Sequence, residues 1–157
     1  MSKVAHAPVV RRAGEGDKRW FFGGGEWTWK VGSAESGGGL SVVEIAMDQG
    51  KCTPLHSHPI DESLWLLEGA LTYHIDGENT DVNVGDFVMV PAEVPHAFMV
   101  VSEHARILTI QTSCDCEAFY LGASEPLEGS ARETDFGRIA QSGAANGGIT
   151  LLGPPPF

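Results

Sequence analysis

The sequence predicts an all-β domain. Apolar runs of roughly four to eight residues recur along it, and glycine or proline turns separate them every ten or so residues. Between residues 40 and 121 no stretch carries the 3.6-residue period of a helix. The 157 residues suit one domain with a sizeable core, and 42 % hydrophobic against 20 % charged residues is a globular composition.

Residues 1–18 mix charge with Gly14 and Gly16, lack periodicity and read as a flexible lead-in. Trp20, Phe21, Phe22, Trp27 and Trp29 then crowd together, broken by Gly23, Gly24 and Gly25. Trp27 and Trp29 alternate with Thr28 and Lys30, which is a strand pattern. These rings either fill one mouth of the core or contact a second subunit. Residues 33–39 read as a Gly/Ser loop. In the strand over residues 40–47, Glu44 belongs in solvent, so Val43, Ile45 and Met47 face inward.

Strands follow at residues 62–68 and 71–75, and Asp76-Gly77 is a hairpin turn. Further strands are expected at residues 80–84, 87–90, 97–101, 106–112 and 117–121. In the tail, Thr134 or Asp135 caps a short helix reaching Gln141, and Gly143, Gly147 and Gly148 end it. Residues 149–152 lead into the rigid Pro154-Pro155-Pro156.

A formal net charge of -11 argues against nucleic acid or an anionic membrane as partner. No apolar run has the length of a membrane helix, and the first residues lack the pattern of a signal peptide. Three cysteines make no disulfide framework. A cytoplasmic protein with reduced thiols is expected. The C-x-C of Cys114 and Cys116 is a poor zinc signal, and nothing near Cys52 lowers its pKa.

The chemistry concentrates in residues 50–69, bounded by Gly50 and Gly69. His56 and His58 alternate and so share one strand face, and Glu62 joins them if the strand resumes in register after Pro59. Two imidazoles and a carboxylate on one face are candidate ligands for a divalent transition metal. A second stretch runs from Gly85 through a short strand and a corner framed by Pro91 and Pro95 to His96, a further imidazole.

Together the stretches read G-x5-H-x-H-x3-E-x6-G and G-x5-P-x-E-x2-H. This pattern resembles the cupins, small double-stranded β-helix (jelly-roll barrel) proteins. The first motif is matched at Gly50, His56, His58, Glu62 and Gly69, and the second at Gly85, Pro91 and His96. The sequence departs at Glu93, where the family usually has glycine, and at Val100, where it often has asparagine. The N-terminal aromatic strand and the closing I-T-L-L-G-P-P-P resemble the quercetin 2,3-dioxygenase-like bacterial single-domain cupins. On this likeness residues 19–157 are one cupin domain, with a metal-binding core over 40–121 and a tail over 122–157.

The resemblance implies that His56, His58, Glu62 and His96 hold one divalent metal (Fe, Ni, Co, Mn, Cu or Zn). It also implies that Glu62 doubles as general base. Parity places Leu64 and Phe98 in the substrate pocket with Val43, Ile45 and Met47. Of the alternating residues after Arg106, the apolar Leu108 and Ile110 are expected to face in. The implied activity is O2-dependent oxidation of a small aromatic or enolic substrate. The rival readings are a non-redox isomerase, lyase or cyclase on the same site, and a ligand-binding cupin without turnover. A homodimer is the expected assembly, with the aromatic strand pairing across subunits.

Overall fold

The computed structural model describes residues 6–157. Among them, β1 (Asp17–Phe21), β2 (Gly25–Val31) and β3 (Ser41–Asp48) form the first antiparallel run, with a one-turn helix α1 (Ser33–Ser36) before β3. The middle holds β4 (Leu55–Ser57), β5 (Glu62–Glu68), β6 (Ala70–Ile75), β7 (Glu78–Asn83), β8 (Phe87–Val90), β9 (His96–Val100) and β10 (His104–Gln111). The tail adds α2 (Glu117–Gly122), β11 (Ser124–Pro126), α3 (Phe136–Asn146) and β12 (Thr150–Gly153). One sheet has the order β11-β1-β2-β3-β10-β5-β8, and the other β12-β4-β9-β6-β7. From β3 to β10 the chain crosses between the sheets at every step except the β6–β7 hairpin, the jelly-roll arrangement. The core lies between the two inner faces.

The inward pattern of β3 is as its charge predicts. Val43, Ile45 and Met47 are buried, while Glu44 turns out to meet Lys30 and Arg106. The apolar run of β5 alternates too, burying Leu64 and Leu66 and exposing Trp65. Asp76 and Gly77 both take positive φ, 48° and 86°, and join β6 to β7 as a tight hairpin. Gly69 has φ 85°, and a Cβ there would run into the His104 carbonyl, so no other residue fits that corner.

Three expectations change. Residues 117–121 form the helix α2 instead of a strand. Phe119 and Tyr120 are adjacent and both buried; a strand would send them to opposite faces, whereas a helical turn sends both into the core. Leu108 and Ile110 lie on the outer face of β10, and Thr109 and Gln111 take the inward positions. Arg106 shares parity with Leu108 and Ile110, and its charge belongs in solvent beside Glu44 and Glu68, so it fixes the phase of the whole strand.

The aromatic segment is core. Phe21, Phe22, Trp27 and Trp29 are all buried within the chain. β1 is paired on both sides, with β2 and β11, and has no free edge for a second subunit. β1 also begins at Asp17, inside the expected lead-in, of which residues 1–5 lie outside the described residues. The expected tail helix is present and longer, running through Gly143 to Asn146. Asp135 caps it by accepting from the Arg138 N–H.

The loop that delivers His96 runs through Glu93, which adopts φ 68°, a left-handed conformation that glycine takes without cost. The turn holds it there. The Glu93 N–H donates to the His58 carbonyl at 2.8 Å, and the Ala92 N–H to Asp61 Oδ1 at 2.9 Å. Replacing Glu93 by glycine is therefore expected to stabilise the fold by about 0.5–1 kcal/mol, after the greater freedom of the unfolded chain is counted. A shift of the urea midpoint to higher concentration checks it; an unchanged or lower midpoint contradicts it.

Candidate metal centre

β4 and β9 pair at a single position, His56 opposite His96, which brings the two imidazoles to 4.3 Å between ring centroids. His58 follows the end of β4, and its ring lies 4.7 Å from that of His96. All three are buried, and their ligating nitrogens lie within 4.8 Å of one another. Each ring is oriented by its own backbone. Nδ1–H donates to the Pro54 carbonyl from His56 (2.7 Å), to Ile60 from His58 (2.8 Å) and to Val94 from His96 (2.8 Å).

A carbonyl can only accept, so the tautomer is fixed and every Nε2 keeps its lone pair. The Nε2 atoms of His58 and His96 are buried with no hydrogen-bond partner among the described residues. Leaving such atoms unsatisfied costs about 1–3 kcal/mol each. A metal ion would satisfy them, and the three histidines could hold one.

Glu62 enters from the other sheet, as the first residue of β5. Its Oε2 lies 3.4 Å from His58 Nε2 and its Oε1 3.9 Å from His96 Nε2. Burial pushes this carboxyl up, but His58, which donates to it and attracts it when protonated, aided by His96 and His56, brings it down to about 2. Conversely, burial pushes His58 down, and the Glu62 carboxylate, which accepts from the ring and attracts its charge once it is protonated, outweighs that and holds the imidazole above its ordinary value. Burial takes His56 down to about 3 and lowers His96 as well. The carboxylate is thus ionised among imidazoles that mostly stay neutral, which is the charge state a divalent ion requires.

Three further polar groups complete the surroundings, and sequence reasoning assigned none of them to the site. Gln111, directly opposite Glu62 in the β10–β5 ladder, donates from Nε2 to Glu62 Oε2 at 2.7 Å and to the Tyr120 hydroxyl at 2.9 Å. The Arg106 parity described above would have found Gln111; Tyr120 sits on the helix taken for a strand. Tyr73 has its hydroxyl buried without a partner, and burial followed by the Glu62 charge raises it well above the ordinary tyrosine value.

Val43, Ile45 and Phe98 line the cavity together with His56, His96 and Glu62. Met47 and Leu64 are buried but do not line it. Phe21, Trp27, Phe119 and Tyr120 form an aromatic end, and Ile139 and Ile149 arrive from the tail. The enclosed space is small, about 30 Å3, room for an ion and roughly one or two waters.

The remaining histidines and thiols stand apart. His74 bonds to Asn79 and His104 to Asp48, both at the surface. Burial raises all three thiols, Cys116 to about 12, so none is activated.

The cupin domain family model matches residues 43–111. Quercetin 2,3-dioxygenase of Bacillus subtilis is 30% identical over 122 residues, 77% of this chain and 36% of that protein. An uncharacterized protein of Streptomyces coelicolor is 34% identical over 71 residues, 45% of this chain and 68% of that protein. The chain therefore spans about a third of the dioxygenase and two thirds of the Streptomyces protein. A solved RmlC-like cupin from Shewanella frigidimarina has the same fold, with a TM-score of 0.60 at 17% identity over 69% of this chain and 93% of that one.

The protonation pattern sets a pH dependence for metal binding. A metal needs His58 neutral, and His58 is the imidazole held above its ordinary value. Affinity for Zn(II) or Co(II) should therefore fall as pH drops through that raised value, before His56 and His96 take up protons. Chelator competition between pH 8 and pH 5.5 measures it. His58→Ala and His96→Ala should each weaken binding by more than about 100-fold, beyond what losing an outer-shell partner costs. Affinity independent of pH, or intact in either variant, would contradict the arrangement.

Proposed function

Because the chain belongs to the cupin family, we propose that it is a metal-dependent dioxygenase acting on a small aromatic or enolic substrate. His56, His58, His96 and Glu62 would hold one divalent ion. The observation that carries this reading is the set of three buried imidazoles with their Nδ1–H groups committed to carbonyls, and with the Nε2 atoms of His58 and His96 turned on an ionised, buried Glu62. The likeness to the Bacillus dioxygenase supports oxidation as the reaction.

A divalent transition metal at such a site supplies positive charge, open coordination positions and the redox chemistry that O2 requires. Glu62 accepts the substrate's hydroxyl proton, and the substrate enters as an anion. His56, His58 and His96 contribute no charge while neutral, so a divalent ion with Glu62 leaves a net positive site that favours an enolate or phenolate. Val43, Ile45 and Phe98 exclude water from one side of the imidazoles. Phe21, Trp27 and Phe119 offer ring surface on the other.

Size narrows the substrate. A space of about 30 Å3 takes neither a three-ring flavonol nor a single aromatic ring without displacing lining side chains, and a single-ring or enolic compound needs the smaller displacement. Ile139 on α3 and Ile149 beside the edge strand β12 are the lining residues that the tail supplies.

Metal analysis of freshly purified protein and oxygen-electrode assays with catechols and enolic diketones test the reading. O2 uptake should require the metal, and Glu62→Ala should lower kcat by about 10²–10⁴-fold. Turnover without O2, or full activity in Glu62→Ala, would sink it. Bound zinc with no O2 uptake on any of these compounds would instead favour the non-redox isomerase or lyase reading.

A further inference from the structure

We infer that Gln111 is the positioning residue that decides which oxygen of Glu62 is presented to the three imidazoles. The inference rests on the reading of Glu62 as a metal ligand. Gln111 and Glu62 are Cα partners across β10 and β5, with both side chains on the inner face. The amide nitrogen of Gln111 has two hydrogens, and each is used. One goes to Glu62 Oε2 at 2.7 Å, the other to the Tyr120 hydroxyl at 2.9 Å.

The second bond fixes the first. Flipping the amide would set its oxygen against a carboxylate oxygen and leave the Tyr120 hydroxyl oxygen without a donor. Gln111 is only 5% exposed, so bulk water does not compete for these bonds. Oε2 is thereby held by Gln111 while lying 3.4 Å from His58 Nε2, with one of its lone pairs already used. Oε1 takes no hydrogen bond among the described residues and faces His96 at 3.9 Å. Glu62 thus offers one free oxygen, which sets it up as a single-oxygen ligand whose lone pairs also serve as proton acceptor. Without Gln111 the carboxylate can rotate and present both oxygens.

The test is a double-mutant cycle read by metal binding rather than by turnover. Gln111→Met keeps the side-chain length and removes both donors. It should change the Zn(II) dissociation constant by about tenfold, the scale of an outer-shell loss, and should reduce the intensity of the visible bands of the Co(II)-loaded protein as coordination rises. Tyr120→Phe should move both readouts the same way by a smaller factor; it also carries the test if Gln111→Met does not fold. In a Glu62→Ala background, Gln111→Met should add nothing.

If Gln111→Met binds and absorbs like the parent while Glu62→Ala weakens binding, the positioning role is overturned and Glu62 remains a ligand. Additive effects of the two substitutions overturn it as well, since Gln111 would then act by another route. If Glu62→Ala itself binds like the parent, the ligand reading of Glu62 falls and this inference falls with it.

Discussion

The site depends on a short-range constraint repeated three times. Each imidazole gives its Nδ1–H to a carbonyl two residues away in sequence, so its orientation is set locally before any tertiary contact forms. The intervening residue is Pro59 after His58 and Pro95 before His96. A proline there fixes φ near −65° and presents the neighbouring carbonyl at a defined angle. Orientation of the rings is therefore a property of the backbone. What the sheets add is convergence, through the His56–His96 pair in one sheet and Glu62 in the other. The loop bearing Glu93 ties the second imidazole stretch to the first by a direct bond to the His58 carbonyl, and a strained backbone angle is tolerated to keep it.

Packing alone would not select this interior. Three histidines, a glutamate and a glutamine are buried where an all-apolar core would be more stable. Their mutual bonds offset part of that cost, and the unpartnered Nε2 atoms and the Tyr73 hydroxyl are the part left over. The rest of the barrel carries the difference. Phe21, Trp27, Phe119 and Tyr120 form one aromatic stack across the mouth, and Phe22 packs beneath the Arg138 guanidinium at 3.9 Å. A stability deficit concentrated at one point of an otherwise well-packed core is the usual signature of a functional site.

Strands with charge-marked alternation were readable before the structure. Glu44 phased β3, and the same logic applied to Arg106 would have phased β10 and revealed Gln111 as an inward residue. Preferring apolar side chains inside failed there because the interior is partly polar. The hairpin at Asp76-Gly77 and the cap at Asp135 were legible from local chemistry alone. The helix at Phe119 and Tyr120 was not, since a five-residue apolar run has no distinguishable period. Short strands such as β4 and β11 carry almost no pattern of their own, and only long-range pairing creates them. The imidazole set was legible because spacing survives in one dimension; the cavity's size was not, because it depends on side chains from Phe21 to Ile149.

The strand β12 closes the free edge of β4, with Leu151 opposite His56 and Thr150 opposite Ser57. The segment that carries two imidazoles must therefore wait for a partner roughly ninety residues further along the chain. Such pairings bear a large loop-closure entropy and form late. The barrel formed by β3 to β10 can thus assemble around an imidazole strand that is still open on one side. With β12 docked, the ladder covers that side of His56.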